Sequence, residues 1–191
     1  MTGKNIILAS KSPRRQQLLK GLDLEFVVRT KEVEEVYPPG LPREEVALYL
    51  ARLKAKAFEG DLSPDDILIT ADTIVCIDGQ IIGKPSDEAD AKRILGILSG
   101  KKHEVITGVC LCSTQNQKSF FVKTEVFFRT LKKDEIDYYL EHYRPYDKAG
   151  AYGVQEWIGY IGIEKIAGSY FNVMGLPVKE LYEELSAFTA L

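Results

Sequence analysis

Short apolar runs alternate along the chain with longer stretches of helical spacing, a pattern that predicts interleaved strands and helices. Residues 5–9 read as a first strand and 24–28 as a second; 104–113 and 120–130 form a longer pair joined by a loop at 114–118. A helix is predicted from Pro13 to Gly21, capped by Ser12, with Leu18, Leu19 and Leu22 facing inward. A second spans 43–58, with Val46, Leu50, Leu53 and Ala57 on one face. Ser86 is expected to cap a third helix, with Ile94, Leu95 and Leu98 inward, and 134–143 forms a fourth that Pro145 stops. Residues 157–163 are predicted as a strand containing Gly159 and Gly162, followed by a last helix carrying Val178, Leu181 and Leu185. Hairpins occur among the alternating elements, so the sheet should be mixed.

The segment 67–87 stands at the centre of this pattern. Ile67, Leu68 and Ile69 form one apolar run and residues 74–77 another, with Asp72 a lone acid between them. A carboxylate in a buried strand needs a cation, a metal or a chemical task. Asp78-Gly79 is a hairpin signal, and the returning chain would bring Lys84 back toward Asp72. A structural Asp–Lys pair at a strand end is the plain alternative.

Composition narrows the class. The chain has 191 residues, 45% hydrophobic and 28% charged, which suits one globular domain with a substantial core. A net charge of −3 argues against nucleic acid or anionic membrane as the main partner. No apolar run reaches a membrane-spanning length, and the N-terminus does not read as a signal peptide. Cys76, Cys110 and Cys112 form no C-x-x-C pair and only two histidines are available, so a zinc site is not expected. Reduced thiols in a cytoplasmic protein are the better reading.

The candidate chemistry is a set of cations and acids. Arg14 and Arg15 fall in the first turn of a helix that opens at Ser10-Lys11-Ser12, beside backbone N–H groups that favour an anion. Lys54, Lys84 and Lys148 are further cations; Glu34 or Glu35, Asp72 and Asp147 are the acids. Several converging cations suit a triphosphate, and one or two carboxylates suit magnesium or manganese. The loop 147–155 is dense in small residues with polar groups between them, and its glycines could let the backbone approach a ligand closely. Neither a Walker A loop nor a G-x-G-x-x-G fingerprint occurs.

Taken in order, these motifs resemble the Maf family of nucleoside triphosphate pyrophosphatases. The resemblance is collinear over nearly the whole chain: residues 8–15 (L-A-S-K-S-P-R-R), the Glu34-Glu35 pair, 50–57 (L-A-R-L-K-A-K-A), 71–75 (A-D-T-I-V), 83–85 (G-K-P), 98–109, 147–155 (D-K-A-G-A-Y-G-V-Q) and 168–177. It implies an α/β fold with an elongated mixed sheet, flanking helices and two lobes around a cleft, similar to the inosine triphosphate pyrophosphatases and commonly a homodimer.

The resemblance also implies cleavage between the α and β phosphates with a divalent metal, Mg2+ or Mn2+. By position, Asp72 would be the proton acceptor that activates water, close to a metal held with Glu35, or less surely Glu34. Ser10, Ser12, Arg15, Lys54, Lys84 and Lys148 would line the phosphates. Arg14 stands where the 7-methyl-GTP subgroup has Trp, which groups this chain with dTTP/UTP pyrophosphatases, and Arg14, Thr73 and Gln155 would then select the base. Glu156-Trp157 departs from the glycine usual after that Gln. Two other roles are weighed: 7-methyl-GTP hydrolysis, and a non-catalytic nucleotide-binding regulator, since the family is linked to septum formation.

Overall fold

The computed structural model describes residues 3–189 and shows a mixed α/β fold on one seven-stranded sheet. Strand β1 (Asn5–Leu8) lies between β2 (Phe26–Val28) and β3 (Asp66–Ile77), parallel to both. Ile6, Ile7 and Leu8 are all buried, as a strand with parallel neighbours on both edges requires. β3 turns at Asp78 (φ 50°) and Gly79 (φ 82°) into the antiparallel β4 (Gln80–Ile82). Both turn residues have positive φ, the backbone that a tight hairpin needs. The sheet continues through β5 (Lys102–Cys112), β6 (Gln117–Phe128) and β7 (Ile163–Ala167), the last antiparallel to β6.

The helices are α1 (Pro13–Lys20), α2 (Arg43–Lys56), α3 (Glu88–Leu98), α4 (Lys133–Tyr143), α5 (Trp157–Gly162), α6 (Tyr170–Met174) and α7 (Val178–Thr189). Among the described residues no helix is long and apolar enough to cross a membrane. The chain divides into two compact units. The first takes in the residues up to Asp72, Thr107–Val122 and those from Gly175 onward; the second takes in Thr73–Ile106 and Lys123–Met174.

In the first unit α2 lies directly on the sheet. Ala51, Ala55 and Phe58 pack with Ile7, Leu68 and Cys110. The approach is closest at Gly108 of β5, where a Cβ would lie 2.4 Å from the carbonyl of Ala47. Only glycine admits the helix backbone there. In the second unit Ile94, Leu95 and Leu98 of α3 and Ile136, Tyr139 and Leu140 of α4 share a core with Val75, Val105, Val126 and Phe128.

Two sequence expectations are corrected. Residues 157–163 are helix α5 up to Gly162, and the strand begins at Ile163. Gly159 serves close packing: a Cβ there would meet the Val154 carbonyl oxygen at 2.1 Å. The cap of α3 is Asp87 rather than Ser86, its carboxylate accepting the Asp90 N–H at 2.8 Å. Ser86 stands one residue outside and donates its own N–H to Asp90 at 3.1 Å. Two adjacent residues with nearly equal capping preference cannot be ranked by type alone.

Candidate functional site

Two interactions set the geometry of the first unit's site. The Thr70 hydroxyl donates to the Ala51 carbonyl at 2.7 Å, pinning β3 to α2. Asp72 is two residues beyond Thr70, on the same strand face, and Lys54 is three residues beyond Ala51, on the same helical face. One step along each element therefore brings the two side chains together. Lys54 Nζ lies 2.5 Å from Asp72 Oδ1 and 2.9 Å from Glu35 Oε1. The Asp72 side chain is 10% exposed, Lys54 16% and Glu35 41%, so the pair is screened on one side and open on the Glu35 side. Of the two candidate acids, Glu35 is the one that reaches Lys54.

Arg15 joins this cluster through the backbone. Its Nε donates to Gly175 O at 2.7 Å and its Nη1 to Ala71 O at 2.9 Å, immediately before Asp72. Burial draws the Arg15 pKa down; the Asp72 carboxylate opposes this, neighbouring Arg14 adds to it, and Glu35 opposes it. The Ser12 hydroxyl caps α1 by accepting the Arg15 N–H, and Ser10 Oγ accepts the Ser12 N–H at 3.2 Å. Ser10 is buried, and both hydroxyls order the loop in front of the arginines.

The carboxylates of Glu35 and Asp72 converge on one ammonium, and a hard divalent ion that takes one or two carboxylates, with water and phosphate oxygen completing its shell, would use these two. Among the described residues no group of three or more His, Cys, Asp or Glu is placed to hold a metal, so an all-protein cage is not offered.

The remaining sequence candidates lie in the second unit. Thr73 is half-buried on β3, next in the chain to Asp72. Lys84 is exposed, two residues past Ile82, and the preceding Gly83 carbonyl accepts the Gly150 N–H at 3.2 Å. That bond ties the Gly83-Lys84 backbone to the 147–155 loop. Lys148 is buried; its Nζ lies 2.8 Å from Asp147 Oδ1 and 3.2 Å from Glu156 Oε1. Gln155 Oε1 is buried without a hydrogen-bond partner. An unmet buried acceptor is costly, so this one has a reason to be there.

The loop itself is firmly held. Gly150 (φ 74°) sits against Val75, where a Cβ would come within 3.0 Å. Tyr152 is buried edge-on to His103 and Phe128, with its hydroxyl 2.8 Å from His103 Nε2. Burial pushes the His103 pKa down to about 4. Three residues that matter here escape a reading by motif. Thr70 gives no signal beyond strand propensity, Tyr139 reads only as a helix core position, and Glu156 reads only as a departure after Gln155.

A model of the Maf-like protein family matches residues 5–188. A protein of Phocaeicola vulgatus named dTTP/UTP pyrophosphatase is 56% identical over 181 residues, 94% of each chain. One from Porphyromonas gingivalis with the same name is 54% identical over 186 residues, 96% of this chain and 94% of that one. Among solved structures, the Ham1 protein of Staphylococcus aureus aligns at TM-score 0.46 and 19% identity over 65% of this chain and 72% of that chain. The mixed sheet described above, rather than so distant an alignment, carries the fold assignment.

Proposed function

Because the chain belongs to the Maf-like protein family, we propose that it is a nucleoside triphosphate pyrophosphatase that hydrolyses dTTP and UTP to the monophosphate and pyrophosphate. Relatives more than half identical and matched nearly end to end carry that name. The observation that carries the reading within this chain is the buried Asp72 carboxylate held against Lys54 and Glu35.

Each side chain has a role in that reaction. Asp72, with Oδ1 fixed by Lys54, takes a proton from the attacking water. Glu35 and Asp72 would hold a divalent cation, Mg2+ or Mn2+, which when bound would supply polarisation of the phosphoryl oxygens and a more acidic water. Lys54, which spends two of its three N–H donors on Asp72 and Glu35, turns the third to a phosphate oxygen. Arg15 is pre-set by the Gly175 and Ala71 carbonyls and adds fixed positive charge. Ser10, Ser12, Lys84 and Lys148 complete the phosphate contacts.

Gln155, with Arg14 and Thr73, reads the base. Its buried Oε1 is an acceptor matched to the N3–H of thymine and uracil, where cytosine presents a lone pair. The 191 residues act as one catalytic domain, and the free thiols of Cys76, Cys110 and Cys112 suit the reducing cytoplasm. Homodimerisation and a link to septum formation rest on the family resemblance alone.

The test is pyrophosphate release from dTTP, UTP, CTP, GTP and 7-methyl-GTP, with Mg2+, with Mn2+ and with chelator. Metal-dependent turnover of dTTP and UTP above the others is expected. Binding without turnover of any nucleotide would replace the enzyme by a regulator, and preference for 7-methyl-GTP would overturn the substrate assignment.

A further inference from the structure

Glu156 stands at the head of α5, where its carbonyl accepts the Gly159 and Tyr160 N–H groups at 2.9 and 3.2 Å. Its side chain does not extend into solvent. It folds back over the 147–155 loop, lying so close to Gly153 that a Cβ there would come within 2.5 Å of Glu156 Cδ and 2.7 Å of Oε2. The absence of a side chain at Gly153 is what lets the carboxylate lie there.

Both carboxylate oxygens are used. Oε2 accepts the hydroxyl of Tyr139, a fully buried side chain of α4. Oε1 lies 3.2 Å from Nζ of the buried Lys148. The Tyr139 oxygen in turn accepts the Gly153 N–H at 3.0 Å. Burial and the Glu156 carboxylate both raise the Tyr139 pKa, so the phenol keeps its proton and acts as donor. A charged, fully bonded network inside a protein is costly to leave half-made, and it fixes the groups it joins.

Gln155 is the residue held between this network and the core. Val154 before it is buried, and Glu156 after it is fixed by backbone and side chain alike. We propose that Glu156 and Tyr139 are positioning residues for base recognition, holding the loop so that Gln155 presents its amide, and Lys148 its ammonium, to a pyrimidine nucleotide. The proposal rests on the pyrophosphatase reading given above and adds residues that touch neither substrate nor metal.

The experiment compares Tyr139→Phe, Glu156→Ala and Glu156→Gln with the unaltered protein, measuring kcat and KM for dTTP and dCTP and the unfolding midpoint. In Tyr139→Phe and Glu156→Ala the ratio of kcat/KM for dTTP over dCTP should fall about tenfold, chiefly through a higher KM for dTTP. Glu156→Gln keeps one acceptor for the phenol but turns an amide NH2 toward Lys148, so its loss of selectivity should be smaller than that of Glu156→Ala. A merely structural role would lower the unfolding midpoint and scale both substrates alike, leaving the ratio unchanged.

An unchanged ratio in whichever of these variants folds would overturn the proposal. So would failure of both Tyr139→Phe and Glu156→Ala to fold, which would assign the network to stability alone. The unaltered protein separates the two claims. If it hydrolyses no pyrimidine triphosphate, the functional reading falls and takes the positioning role with it; if it is selective while the variants match it, only the positioning role falls.

Discussion

Lys54 of α2 and Asp72 of β3 meet at 2.5 Å, eighteen residues apart in sequence, in a side-chain environment that is mostly dry. Each would be costly to bury alone, and together with Glu35 they form a charged cluster whose worth depends on keeping every member. Lys54→Met should therefore destabilise the protein by on the order of 2 kcal/mol, removing the ammonium that Asp72 and Glu35 share. Adding Asp72→Asn to that variant should recover part of the loss. Urea unfolding of the single and double variants checks this; equal midpoints for Lys54→Met and the unaltered protein would show that the pair contributes nothing.

Gly108 sets how closely α2 approaches the sheet. Gly108→Ala would place a methyl 2.4 Å from the Ala47 carbonyl and force the helix outward. We expect a loss of about 3 kcal/mol in urea unfolding. Activity should fall in the protein that still folds, because Lys54 moves with the helix.

His103 gives the fold a defined pH dependence. Its pKa is about 4 when folded against 6.5 for the free side chain, with burial as the cause. Between pH 6.5 and 4 the unfolded chain binds a proton that the folded chain does not, so stability falls as pH falls through that window and is level above it. At pH 5 the contribution amounts to about 2 kcal/mol. Urea midpoints from pH 7.5 to 4.5 should show this slope in the unaltered protein and lose most of it in His103→Gln. The same slope in both would assign the effect to other groups.

How much of this was readable in the sequence varies by feature. The hairpin at Asp78-Gly79 and the Ser12 cap follow from local rules, because turns and caps are decided by neighbours a few residues away. Helical spacing finds Val46 and Leu50 of the α2 face, but Leu53 and Ala57 are only half-buried and Ala47, Leu48, Ala51 and Ala55 complete the buried side. The need of Asp72 for a cation was also legible. The Lys54–Asp72 pairing itself was not, because it is set by the Gly108–Ala47 contact and the Thr70–Ala51 bond. Such register between a helix and a sheet leaves no periodic trace. The helix at Trp157–Gly162 was missed for a related reason, since a short apolar run with two glycines fits a buried strand as well as a packed helical turn. The network of Tyr139, Glu156 and Lys148 joins residues on separate elements and exists only once the chain is folded.

Gln155 and Lys84 should separate base reading from phosphate binding. Gln155→Ala removes the buried acceptor and should shift the ratio of dTTP to CTP turnover more than Lys84→Ala does. Equal shifts in the two variants would refute the base-reading role.

The most direct test of the account is the rate of pyrophosphate release from dTTP by Asp72→Asn, with folding followed by circular dichroism. The exchange keeps size and shape and removes the proton acceptor. A drop of about 10²-fold or more in a folded protein is the predicted result; an undiminished rate would contradict the assignment of Asp72 as the group that activates water.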